Sequence, residues 1–145
     1  MNEITYTHSP SGNVFLLKQI TEAELLEFFT SESLLHIKNG TQKHNSMYLN
    51  VADNTFSLTE LTAVYHDDKI VAFCIIPKYD KTILMRIYTS PEYRQMGIAS
   101  FLINHNKVTR LSCLKENDTA LQMYTKLGFI CTREHTWVVD FERKL

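Results

Sequence analysis

The stretch from Thr82 to Asn106 constrains this chain more than any other, because it drives an extended segment through a tight turn directly into a helix. Thr82 to Thr89 is rich in β-branched, aliphatic and aromatic residues and reads as a strand. Pro91 ends it, since proline lacks the N–H a ladder needs and restricts the residue before it. From Gly97 to about Asn106, small and apolar residues recur at helical spacing. The first N–H groups of such a helix have no intrahelical partner and sit at the positive end of its dipole, so an anion can lie against them where no side chain blocks it. Gly97 and Ala99 supply that clearance. A lone Gly-x-Ala would equally fit a tight turn packed closely on a sheet.

The flanking segments alternate between strand and helix patterns. Asn13 to Ile20 reads as a first strand, and Thr21 followed three residues later by Glu24 forms a capping box that starts a helix. Its apolar stripe takes in Leu25, Leu26, Phe28, Phe29, Leu34 and Leu35. Residues 38–58 are polar and irregular, with Asn39-Gly40 marking a turn. Leu61 to Tyr65 and Ile70 to Ile76 flank the polar turn His66-Asp67-Asp68-Lys69 and read as an antiparallel hairpin. Downstream lie a strand over Thr109 to Leu114 and a helix over Asn117 to Leu127, capped by Asn117 or Asp118 and stopped by Gly128. A final strand pair follows, around Phe129 to Thr132 and Thr136 to Phe141. The fold class is therefore α/β in composition, of the α+β kind, within one domain over residues 1–145.

Composition excludes several functions. The longest apolar run, Val71 to Pro77, is far shorter than the ~20 residues of a membrane-spanning helix. The amino terminus has neither the basic start nor the apolar stretch of a secretory signal, which points to the cytoplasm. A net charge of −1 argues against a nucleic-acid partner. The charge is unevenly spread: residues 1–73 carry four Lys/Arg against nine Asp/Glu, and residues 74–145 carry eleven against seven. The basic half suits a phosphorylated ligand. Six histidines show no spacing that would set two ligands on one helical face, so no metal is expected. Cys74, Cys113 and Cys131 each fall in an apolar stretch and read as reduced core residues.

Two motifs together resemble the GNAT superfamily of acetyl-CoA-dependent N-acetyltransferases. Arg94-Gln95-Met96-Gly97-Ile98-Ala99 is similar to the family's pyrophosphate motif, and Ile87-Tyr88-Thr89-Ser90-Pro91-Glu92-Tyr93 to its lead-in, with Thr89 in place of the common valine. Downstream, Asn117, Ala120, Tyr124, Leu127, Gly128 and Phe129 match the second hallmark in order and spacing. The resemblance covers residues 82–131 and implies a mixed, mostly antiparallel central sheet flanked by helices and splayed at the strand carrying Thr89. It implies acetyl-CoA as co-substrate, held by Tyr88, Thr89, Arg94 to Ser100 and Asn117, and an amine as acceptor, with the protein a monomer or homodimer. The chain departs from the family at Ala72, where glycine is frequent, in a helix after Gly97 that looks short, and at Ile83, where some members carry a glutamate base.

The resemblance also distributes the chemistry. Backbone N–H groups near Thr89 would hold the acetyl carbonyl, and Tyr124 would protonate the departing thiolate or simply hydrogen-bond the sulfur. Glu92, His66 and Tyr88 are bases by type, but none is singled out. Two other readings remain: a CoA-binding protein without turnover, motivated by Ile83, and an acetyltransferase acting on aminoacyl-tRNA.

Overall fold

The computed structural model describes residues 4–31 and 59–145. Within these, five strands form an antiparallel sheet in the order β1-β2-β3-β4-β5, and three more form a second sheet in the order β6-β8-β7. β1 (Ile4–His8) pairs with β2 (Asn13–Gln19) from His8↔Asn13 to Ile4↔Leu17. β1 stands before the strand at which the sequence reading begins, because its period-two pattern is only half-buried and carries two threonines. β3 (Thr59–His66) and β4 (Lys69–Pro77) make the hairpin read from the sequence. Asp67 and Asp68 both take positive φ, 52° and 64°, the conformation that matches a two-residue turn to the right-handed strand twist. All of β4 after Lys69 is buried, so this central strand is an unbroken apolar run rather than an alternating one.

β5 (Arg86–Thr89) closes the first sheet, and β6 (Arg110–Leu114) is an edge of the second. They touch only at their roots, through a parallel bridge between Ile83 and Arg110. There Thr109 N–H donates to the Thr82 carbonyl at 2.8 Å and Leu84 N–H to the Arg110 carbonyl at 3.0 Å. Asp80 accepts from the Thr82 hydroxyl and amide and pairs with Arg110, reinforcing that root. One residue later Met85 N–H turns to the Ile75 carbonyl, and from here β5 follows β4 while β6 follows β8 (Val138–Glu142). The result is the splay expected at the strand carrying Thr89. The extended strand is shorter than the Thr82 to Thr89 span suggests, because the pairing changes sides within it.

Helices cover both faces. α1 (Glu22–Ser31) begins with the capping box: the Glu24 carboxylate accepts from the Thr21 amide at 3.0 Å, and Glu24 N–H donates to the Thr21 hydroxyl. Leu25 and Phe28 bury against Leu61, Ala63, Phe73, Ile75 and Tyr88. α2 (Ile98–His105) and α3 (Asp118–Lys126) pack on the opposite face, where Ile98, Leu102, Ile103 and Tyr124 meet Val64, Ala72, Cys74 and Phe141. Each fully buried aliphatic or aromatic side chain contributes on the order of 1.5–3 kcal/mol. Gly128, at φ 95°, stops α3 ahead of β7 (Ile130–Glu134).

One sequence expectation about the core changes. Cys74 and Cys113 are buried, and burial pushes their thiols up to about 12 and about 11, but Cys131 is exposed because it lies on β7, an edge strand whose residues are all exposed. The irregular segment 38–58, with Leu34 and Leu35 of the α1 stripe, lies outside the described residues. Among the described residues no helix is long and apolar enough to cross a membrane.

Candidate active site

The turn between β5 and α2 is built from backbone bonds. Ser90 N–H donates to the Val71 carbonyl at 2.8 Å, Pro91–Tyr93 forms one 3-10 turn, and Arg94 N–H closes on the Pro91 carbonyl at 3.3 Å. Gln95 at φ 64° and Gly97 at φ 80° then reverse the chain into α2. The first helical bond runs from Phe101 N–H to the Gly97 carbonyl. The amides of Ile98, Ala99 and Ser100 therefore have no acceptor within the helix. α2 has no side-chain cap and no acidic residue in its first turn, whereas α1 carries Glu22 and Glu24 there and α3 carries Asp118. The positive end of α2 is thus the one whose compensating negative charge no side chain provides.

The side chains of this stretch separate into different roles. Ile98 is core and Met96 packs against it, while Gln95 and Arg94 are exposed. Arg94 folds back, its Nε donating to the Thr89 carbonyl at 2.9 Å and its guanidinium lying 5.6 Å from the Tyr88 ring centre. The Tyr88 ring itself faces α1, against Phe28 and Phe73, so its side chain stands on the other side of the sheet from α2.

Gly97 is needed for a reason the sequence does not reveal. The Tyr6 hydroxyl donates to the Met96 carbonyl at 2.6 Å, and a Cβ built on Gly97 would stand 2.4 Å from that hydroxyl. The space a side chain at Gly97 would need is taken by Tyr6 of β1. Tyr6 stacks on Phe101 at 5.1 Å, which fixes it against α2. His66 Nδ1 and the Tyr93 hydroxyl, 3.0 Å apart, brace the turn from the tip of the β3–β4 hairpin. His66 is therefore engaged structurally, and Glu92 is exposed. Only the period-two pattern of Ile4 to His8 could have flagged β1, and nothing local places Tyr6 beside Met96.

The splay supplies the second half of the site. Because the Ser90 amide points to β4, alternation along the strand turns the Thr89 amide to the opposite edge, where β5 has no strand partner among the described residues. Across the opening, Asn117 N–H donates to the Leu114 carbonyl at the end of β6, and its Oδ1 accepts from the Ala120 amide at 3.2 Å. This cap launches α3 from the tip of β6. Tyr124, seven residues on, lies about 10 Å along the axis. Its ring is buried, 5.9 Å from Phe129 and 6.2 Å from Phe141. Burial, and after it the neighbouring Cys113, pushes the phenol well above its ordinary pKa, so it is a neutral donor at physiological pH. Ile83 sits in the bridge at the root of the splay and brings no carboxylate. No cluster of three metal-ligating side chains occurs among the described residues.

The profile of the acetyltransferase (GNAT) domain matches residues 58–131. Among solved structures, an acetyltransferase of the GNAT family from Listeria monocytogenes is 19% identical, with 99% of this chain and 100% of that chain covered at a TM-score of 0.68. The PaiA N-acetyltransferase of Thermoplasma acidophilum, solved with coenzyme A, is 16% identical, with coverage of 90% and 99% and a TM-score of 0.61. Arabidopsis thaliana Naa50, solved with the bisubstrate analogue CoA-Ac-MVNAL, is 18% identical, with coverage of 90% and 99% and a TM-score of 0.63. No curated protein matches by sequence.

Proposed function

The chain belongs to the acetyltransferase (GNAT) domain family, and from that premise we propose that it transfers an acetyl group from acetyl-CoA to a primary amine. The observation that carries this reading is the meeting, within one turn, of an uncapped helix N-terminus free of acidic residues and an unpaired strand edge at Thr89. The first suits a pyrophosphate, the second a carbonyl oxygen.

Acetyl-CoA supplies an activated acyl group and a thiolate leaving group. The amides of Ile98, Ala99 and Ser100 bind its pyrophosphate, and Thr89 N–H donates to the acyl oxygen as negative charge grows there. The amine nitrogen bonds to the acyl carbon and the carbon–sulfur bond breaks. Tyr124 gives its proton to the sulfur, and the proton lost by the amine returns to the phenolate through water. Asn117 acts indirectly, by starting α3 so that Tyr124 faces the splay. With no base assigned among the described residues, the acceptor enters as the minor neutral form, and kcat/KM rises with pH toward the acceptor's pKa, near 10 for an alkylamine. The raised phenol pKa keeps the acid protonated over that range, so Tyr124 adds no descending limb below it.

The test is acetyl-CoA-dependent thiol release with a panel of amines, peptides and aminoacyl-tRNAs, run beside a binding assay for acetyl-CoA. Release with a primary amine supports the reading. Binding without release for any acceptor overturns it in favour of a CoA-binding protein without turnover, the reading that Ile83 favours.

A further inference from the structure

Arg86 is a charge whose surroundings do not account for it. Its residue is partly exposed, yet Nε is completely buried and has no hydrogen-bond partner. Nη1 donates at 2.7 Å to the carbonyl of the adjacent Met85, and no carboxylate pairs with the group among the described residues. A guanidinium offers five N–H donors in a planar fork shaped for a carboxylate, and a partly buried one without an anion is left poorly compensated. Burial alone moves its pKa, downward, in keeping with the missing counter-charge.

Its place in the sheet says where such an anion would come from. Arg86 pairs with Ile75 as Tyr88 pairs with Phe73, so its side chain shares the α1 face with those residues. α2 and its free amides lie on the other face. The proposed function holds the body of acetyl-CoA on that face, which leaves the α1 face for the amine's approach to the acyl carbon. β5 is the edge of its sheet, and Arg86 opens that edge on the acceptor's side. The row Leu61–Ile75–Arg86 runs across the strands from the wall of a cavity of about 350 Å³, lined also by Gln19, Ile20, Glu22, Thr59, Glu60 and Lys78, to the edge.

We propose that Arg86 is a specificity residue that anchors a carboxylate of the acceptor, so that the substrate class is a primary amine bearing a carboxylate several bonds from the reacting nitrogen. The proposal rests on the transferase reading above. The spacing follows from the three residues, roughly 10 Å of strand, that separate Arg86 from Thr89.

The experiment compares 6-aminohexanoate with 6-aminohexanamide, which keep the same amine and chain and differ in the charge of the far end. Wild type should favour the carboxylate about tenfold or more in kcat/KM, mainly through KM, as expected for a charge-assisted bidentate contact. In Arg86→Gln the ratio should fall to near one, and Arg86→Lys should restore part of it. Retention of the acetyl-CoA thermal shift by both variants shows that they are folded. With CoA bound, hexanoate should raise the melting temperature of wild type above the value with hexanamide, and Arg86→Gln should lose that increment. A wild-type ratio near one, or a ratio that Arg86→Gln leaves intact, overturns the anchor while transfer itself stands. Failure to acetylate any amine overturns the transferase reading instead, and the anchor with it.

Discussion

At the scale of single residues, Tyr6 and Tyr124 show how the same side chain serves two ends. Tyr6 uses its hydroxyl to hold the Met96 carbonyl and thereby forbids any side chain at Gly97. Gly97→Ala suffers twice, from a φ of 80° that costs an alanine about 1–2 kcal/mol and from the 2.4 Å approach to the hydroxyl. Tyr6→Phe removes the second penalty, so Gly97→Ala should be less destabilising in that background. A double-mutant cycle on denaturant midpoints should give a coupling above about 0.5 kcal/mol, and an additive cycle would falsify the contact. Tyr124 has a buried ring and a phenol held neutral by that burial. Tyr124→Phe keeps the packing and removes the donor. It should bind acetyl-CoA like wild type and turn over on the order of 10²–10⁴ more slowly, measured by thiol release at saturating co-substrate. Turnover at the wild-type rate would make Tyr124 a packing residue.

At the scale of elements, α2 is distinguished by what its first turn lacks. Acidic residues there usually stabilise a helix by about 0.3–1 kcal/mol, and α1 and α3 both have them. Ala99→Asp should therefore raise the melting temperature of the ligand-free protein slightly while weakening acetyl-CoA binding at least tenfold, since a carboxylate would stand where the pyrophosphate must. If binding is unaffected, the α2 N-terminus is not the pyrophosphate site. The element pattern was largely legible from local signals: the Thr21–Glu24 capping box, the Asp67-Asp68 turn, the Asn117 cap and the Gly128 stop all appear where the sequence puts them. β1 was missed and the strand before Pro91 overextended, because period-two patterns do not say which neighbour a strand will find, or whether its partner changes partway.

At the scale of the whole molecule, a ligand that binds only the folded chain stabilises it by mass action. Acetyl-CoA at a hundred times its Kd should contribute about 2.7 kcal/mol, a rise of roughly 5–10 °C in melting temperature for a chain of this size. No shift with acetyl-CoA, CoA or longer acyl-CoAs would remove the co-substrate from the proposal. The basic half of the chain supplies α2, α3 and Arg94, so affinity should fall between low and high salt as screening grows; equal affinity at both would discard the role of the charge asymmetry. The sequence by itself determined the local elements, their caps and stops, the two motifs and through them the family, because periodicity, capping and turn chemistry act within a few residues along the chain. Only the tertiary structure decided that Tyr6, about ninety residues away, closes the space beside Gly97, that β5 and β6 part after a single bridge, and that Arg86 shares the α1 face of the sheet. Those depend on which strands pair and which faces the helices cover, contacts between distant parts of the chain that leave no local trace.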